Sequence, residues 1–159
     1  MKVHELFESE ERSILSVMGE QPDNVTGSFS CSLKDLTSLK GCPSYVSGDF
    51  FCSHNRLKNL EGCPTYVGAM FVCDSNQIES LHNIHRHIKY IGNEIDLSRN
   101  PLKSHVLGLL LIKGLKMVFL DTAKGKLEDI LNKHLQGDRD VFACQEELIE
   151  AGFEDYAQL

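Results

Sequence analysis

A fixed 21-residue period constrains this chain more than any other feature of its sequence. Val25-Thr-Gly-Ser-Phe-Ser-Cys31, Val46-Ser-Gly-Asp-Phe-Phe-Cys52 and Val67-Gly-Ala-Met-Phe-Val-Cys73 superimpose. A fourth copy, Ile91-Gly-Asn-Glu-Ile-Asp-Leu97, follows after 24 residues. A second block alternates with the first. It reads Leu36-Thr-Ser-Leu39-Lys-Gly41-Cys42-Pro43, then Leu57-Lys-Asn-Leu60-Glu-Gly62-Cys63-Pro64, and drifts to Ile78-Glu-Ser-Leu81-His-Asn83-Ile84. Such a period means one structural unit stacked on itself, because no single unit can bury its own apolar face.

Phe50, Cys52, Asn55, Leu57 and Leu60 follow the spacing L-x-L-x-x-N-x-L with a further Leu. Phe71, Cys73, Asn76, Ile78 and Leu81 repeat it, as do Ile95, Leu97, Asn100 and Leu102. Residues two apart on a short strand point the same way, here into the coil. The Asn turns inward to satisfy backbone groups that no water reaches. Lys34 holds the Asn position in the first copy, as expected of an atypical terminal coil. The G-C-P turn with V-x-G-x-F-x-C-x-x-N-x-L resembles leucine-rich repeats of tailed-phage (T4-like) proteins and short bacterial proteins. The resemblance covers about residues 25–102, and Cys144-Gln-Glu-Glu-Leu-Ile-Glu-Ala-Gly152 resembles a helical ending of phage-encoded repeat proteins. It implies an α/β fold, a leucine-rich-repeat solenoid of four to five coils with short parallel strands. It implies no particular function, because sites are grafted onto folds.

The expected organisation is an N-terminal helical cap (1–22), repeats (23–102) and a C-terminal strand and helical cap (103–159). Residues 3–18 read as an amphipathic helix with Leu6, Phe7, Ile14, Leu15, Val17 and Met18 on its apolar side, stopped by Gly19. Ser104 is placed as the cap of a short helix through Ile112. Leu115–Leu120 reads as one more strand. Helices follow over Lys126–Leu135, with Leu127, Ile130, Leu131 and Leu135 inward, and over Val141–Ala151, capped by Asp140, with Val141, Phe142, Leu148 and Ile149 inward.

Six cysteines could form a disulfide framework, but five of them follow the 21-residue period, so they read as reduced, buried apolar groups. The start of the chain runs into acids rather than an apolar stretch, so no secretory signal is expected. No apolar run is long enough to span a membrane. The net charge of −7 argues against direct binding to a phosphate backbone. A cytoplasmic location is expected.

The outward strand face is the natural binding surface of such a solenoid. On it lie Asp49, Phe51, Ser53 and His54, then Met70, Val72, Asp74 and Ser75, then Glu94, Asp96, Ser98 and Arg99. Of these, Asp49, Phe51, His54, Met70, Val72, Asp74, Glu94, Asp96 and Arg99 are the candidate partner-binding residues. Large apolar groups rimmed by charge are how interface hot spots are built. The alternative is that the terminal helices cover this face. His82, His85 and His87 suggest a metal, yet no Cys-x-x-Cys or His-Glu-x-x-His accompanies them, and a solvent-facing loop is the preferred reading. No catalytic motif is present, and Cys144 lies beside acids that would raise its pKa. No catalytic residue, metal or cofactor is therefore assigned.

Residues 138–159 hold seven acids and one base. The bland reading is a solvated helix face. The expected function is non-enzymatic protein binding; the resemblance to phage repeat proteins implies that the partner is a host protein, such as a defence factor, which binding would block. An acidic decoy, mimicking nucleic acid through the last helix, is the alternative. Oligomeric state is left open.

Overall fold

The computed structural model describes residues 10–159. They form a parallel-strand solenoid of about five coils with helices at its C-terminal end. Each coil contributes two short strands separated by a tight turn. The first series is β1 (Asn24–Val25), β3 (Tyr45–Val46), β5 (Tyr66–Val67) and β7 (Tyr90–Ile91). The second is β2 (Phe29–Ser30), β4 (Phe50–Phe51), β6 (Phe71–Val72), β8 (Glu94–Asp96) and β9 (Met117–Phe119). Each series makes one parallel sheet, in the orders β1-β3-β5-β7 and β2-β4-β6-β8-β9. The register follows the period, with Phe29, Phe50, Phe71, Ile95 and Val118 in one column.

The core is a set of such columns. Phe50, Phe71 and Ile95, then Cys31, Cys52 and Cys73, and Leu36, Leu57 and Ile78 are all fully buried. Stacking is tightest between the two sheets. A Cβ on Gly68 would lie 1.9 Å from the Ser47 carbonyl oxygen, and one on Gly92 equally close to that of Gly68. Only glycine permits that approach. On the outside of the first sheet Tyr45, Tyr66 and Tyr90 form a stacked ladder, with ring centroids 4.5 and 4.6 Å apart.

The asparagines act as the spacing predicts. Asn76 Nδ2 donates to the carbonyls of Cys52 (3.0 Å) and Cys73 (3.3 Å), while its Oδ1 accepts from Leu57 N–H (3.0 Å). Asn55 and Asn100 repeat the pattern one coil away on either side. Each side chain therefore joins two coils at the point where the chain leaves the strand. Lys34, in the same position of the first coil, is exposed.

The longer third-to-fourth interval accommodates α2 (Ile84–His87), which replaces the Cys-Pro turn and buries Ile84. Asn83 takes the left-handed conformation there (φ 58°), in register with Gly41 and Gly62, as asparagine tolerates. The histidine segment is thus a short helix rather than a loop.

Of the helix expected over 3–18, only α1 (Ile14–Met18) is helical; residues 10–13 are not, because Ser13 caps the helix, and residues 3–9, Leu6 and Phe7 among them, lie outside the described residues. Ser13 caps α1, and Gly19 ends it with φ 78°. Ile14 is buried, whereas Leu15 is 44% exposed. The segment is tied to the back of the first coil by Leu15 N–H on the Lys40 carbonyl and by Thr37 N–H on the Arg12 carbonyl.

At the other end, Leu107–Leu111 is a 3-10 turn. Ser104 does not cap it, because Ser104 pairs with Ser80 as a parallel bridge and continues the coil. α3 (Gly125–Gln136) buries Leu127, Ile130, Leu131 and Leu135. Two of its polar side chains close the sheet edge. Asn132 accepts from Val118 N–H (2.7 Å) and donates to the Val118 carbonyl (2.9 Å), and Glu128 accepts from Leu120 N–H (2.6 Å). α4 (Val141–Glu150) is capped by Asp140, which accepts from the N–H groups of Phe142 and Ala143. Its inward residues are Cys144 and Leu148. Phe142 and Ile149 are 79% and 46% exposed, so the expected inner face is corrected at these two positions. The helix packs on α3 and on Leu107–Leu111 only along the Cys144–Leu148 side, which rotates Phe142 and Ile149 outward.

Removing the Asn76 side chain leaves the Cys52 and Cys73 carbonyls and Leu57 N–H without their shared partner. Asn76→Ala is expected to lower the unfolding free energy by about 3 kcal/mol. Lys34→Asn should change it by less than about 0.5 kcal/mol. Urea unfolding of both variants measures the contrast, and equal effects would remove the asparagine ladder as the chief stabiliser of the coils.

Candidate partner-binding face

The second sheet turns one residue in two outward. Its central outward column runs Ser30, Phe51, Val72, Asp96 and Phe119. A parallel column places Glu94 beside Met117. Asp49 Oδ1 accepts from Met70 N–H (2.9 Å), which sets those two residues side by side on adjacent coils. Phe51, Met70 and Val72 thus form one apolar patch, and each is only half-buried. Phe119 and Met117 resume the apolar character beyond Glu94 and Asp96. α3 closes the end of the sheet at β9, and α4 packs on α3.

The remaining candidate residues divide by what they already do. His54 and Arg99 are exposed, and both occupy left-handed positions where the chain turns out of its strand. Asp96 Oδ1 accepts from the N–H and hydroxyl of Ser98 (2.9 and 2.6 Å). Glu94 borders a recess of ≈ 470 Å³ with Asn93, Lys116, Met117, Leu135 and Gln136. Asp74 is only 9% exposed. It accepts from the Ser75 hydroxyl (3.0 Å) and lies 4.0 Å from His54 Nδ1. Burial opposes its ionisation, but the hydroxyls of Ser53 and Ser75 and the charges of His54 and Arg99 outweigh burial and hold its carboxyl below the ordinary value. Asp74 is a clamp between neighbouring coils, with little surface left for a partner.

The histidine cluster lies on the opposite side. His82 Nε2 lies 2.9 Å from the Asn83 amide nitrogen, and its Nδ1 lies 2.9 Å from the Leu159 carbonyl oxygen. His105, a residue outside the sequence-predicted cluster, stacks edge-on against His82 at 4.9 Å. Its Nδ1 lies 2.8 Å from Ser104 Oγ and 3.2 Å from Ser80 Oγ. These contacts fasten the C-terminal tail to the back of the coils. The tail adds backbone bonds from His105 and Val106 N–H to the carbonyls of Asp155 and Tyr156. Burial and the nearby Arg86 and Lys89 charges lower the pKa of His85.

All six cysteines are free, and only Cys42 is not buried. Burial, with Cys73 nearby, pushes Cys31 up to about 12. Burial and then the Glu147 charge push Cys144 up to about 11. Burial thus outranks the acidic neighbourhood that the sequence pointed to. Among the described residues no helix is long and apolar enough to cross a membrane. Compared with protein-family models, curated proteins and solved structures, the chain matches none.

The Asp74 clamp has a pH signature. A carboxylate whose pKa is depressed on folding stabilises the fold above its unfolded value, near about 3.9, and that contribution is lost as pH falls through the folded value. Asp74→Asn should be less stable than wild type at neutral pH, and the gap should close below about pH 4. Urea unfolding at a series of pH values tests this, and a gap that persists in acid would mean Asp74 acts through packing alone.

Proposed function

We propose that this chain is a non-enzymatic protein-binding module that works through the outward face of its second sheet. The observation that carries the reading is the patch of Phe51, Met70 and Val72. Three large apolar side chains stand half-exposed at the centre of a rigid sheet, with Asp49, Asp96 and Glu94 around them. An interface needs a desolvated apolar centre and a polar rim. The columns behind the patch are fully buried, so the face is held in one shape before a partner arrives, which lowers the cost of binding. The acids favour a partner with Lys or Arg around an apolar ridge, and speed its encounter.

The repeat spacing and G-C-P turns support reading the coils as leucine-rich repeats of the tailed-phage and short bacterial kind. On that reading the partner is a host protein in the bacterial cytoplasm, and binding serves to block it. Burial raises the thiols of Cys31 and Cys144, which supports a binding role over a catalytic one.

Val72→Asp places a charge at the centre of the patch, and Phe51→Ala removes its largest group. Each should weaken capture of a stoichiometric partner from bacterial lysate by about tenfold or more. Lys58→Ala, on the back of the coils, should leave it unchanged. Far-ultraviolet circular dichroism verifies that the variants fold. Equal capture by both folded patch variants would exclude this face.

A further inference from the structure

α4 carries a second apolar surface, unrelated to the sheet face. Phe142 is the most exposed large apolar side chain among the described residues, at 79%. Ile149, 46% exposed, lies seven residues on. That spacing is two helical turns, so both project from the same side, about 10 Å apart along the axis. Single exposed apolar residues need no explanation, but an aligned pair on a fixed helix does.

The helix is fixed. Asp140 caps its first turn, and Cys144 and Leu148 are fully buried beneath it. Glu147 accepts from Lys133 Nζ (2.8 Å) and lies 2.7 Å from His134 Nε2, which ties α4 to α3. The Lys133 and His134 bonds, against a smaller effect of burial, hold the Glu147 carboxyl below its ordinary value.

The charges around the pair identify the occupant. Glu146 and Glu150 flank Phe142 and Ile149 along the helix, and Asp138 and Asp140 precede them. None of the four forms an ion pair among the described residues. The nearby cations are engaged elsewhere. Arg139 is turned inward onto the Ile112 and Leu115 carbonyls, and Lys133 is held by Glu147. An uncompensated acidic rim repels nucleic acid and anionic lipid headgroups. It also repels a second copy of itself, because a two-fold contact would set the same carboxylates against each other. A protein groove with an apolar floor and a Lys/Arg rim meets both the apolar pair and the acids.

We infer that the outer face of α4 is a second docking surface, which presents Phe142 and Ile149 as helical anchors to a basic, apolar segment of a partner protein. It differs from a purely electrostatic decoy in having an apolar centre.

The test pans a random-peptide display library against the immobilised full chain, with a Phe142→Ser/Ile149→Ser double variant for counterselection. Enriched peptides should combine Lys or Arg with large apolar residues. Their affinity should fall about tenfold or more for the double variant and for Glu146→Lys/Glu150→Lys, and should be unchanged by Val72→Asp. Both α4 variants alter exposed positions, so their thermal melting should match wild type; should the serine variant melt early, the charge-reversal variant alone decides. Selection of peptides without basic residues, binding that survives charge reversal, no binder that depends on α4, or self-association of the wild type through this face would each overturn the proposal. Loss of the sheet-face partner with Val72→Asp is read separately, so the two surfaces fail or stand independently.

Discussion

The structure depends on how stacked coils satisfy backbone groups that water cannot reach. At each strand exit the chain turns inward, and a peptide carbonyl from each of two coils faces a dry core. Leaving one such group unpaired costs about 1–3 kcal/mol, a large share of the stability of a domain this size. Asn55, Asn76 and Asn100 each supply two donors and an acceptor at that point. An aliphatic side chain could fill the space but would strand the carbonyls. Aspartate could accept but not donate. The asparagine column is therefore what permits the Phe, Cys and Leu columns around it to be wholly apolar.

A stacked sheet must also end, and its last strand offers unpaired groups to any passing strand. Here the C-terminal end is closed by side chains. Asn132 presents an acceptor and a donor to Val118 much as a further strand would, and Glu128 takes the Leu120 N–H. α3 thus buries Leu127, Ile130, Leu131 and Leu135 against the final coil and satisfies its edge in the same contact. The coils cannot propagate past β9.

What the sequence made legible was whatever recurs. The 21-residue period predicted the columns and the inward asparagines, while local apolar spacing predicted a strand within 115–120 and the inner face of α3. Features that occur once were harder. Ser104 resembles a helix cap by composition, yet it pairs with Ser80 because the coil continues one step further than the motif does. Phe142 and Ile149 suggest inward positions only because they are apolar. Short helices offer several apolar arcs, and only the position of α3 decides that Cys144 and Leu148 are the pair that is buried. The tyrosine ladder has a visible 21- and 24-residue spacing, but its residues lie outside the inward pattern and carried no signal of burial. On the sheet face, alternation placed Phe51, Met70 and Val72 outward. It could not show that Asp74 is held by Ser75 and His54, because that depends on contacts between coils.

The same alternation that builds the core determines where function can reside. Inward positions are constrained by stacking, so their side chains repeat from coil to coil. Outward positions are free of that demand, and there the repeats diverge: Ser30, Phe51, Val72, Asp96 and Phe119 share one column and almost no chemistry. The neighbouring column, Ser32, Ser53, Asp74, Ser98 and Asp121, is polar throughout, and there side chains such as Ser32 and Asp121 bond to the adjacent coil. Large apolar groups appear outward in only part of the face, and again on α4 at Phe142 and Ile149. Burial among the described residues accounts for only part of each of these side chains, and each still exposes apolar surface to water, which is the observation on which both proposed docking surfaces rest.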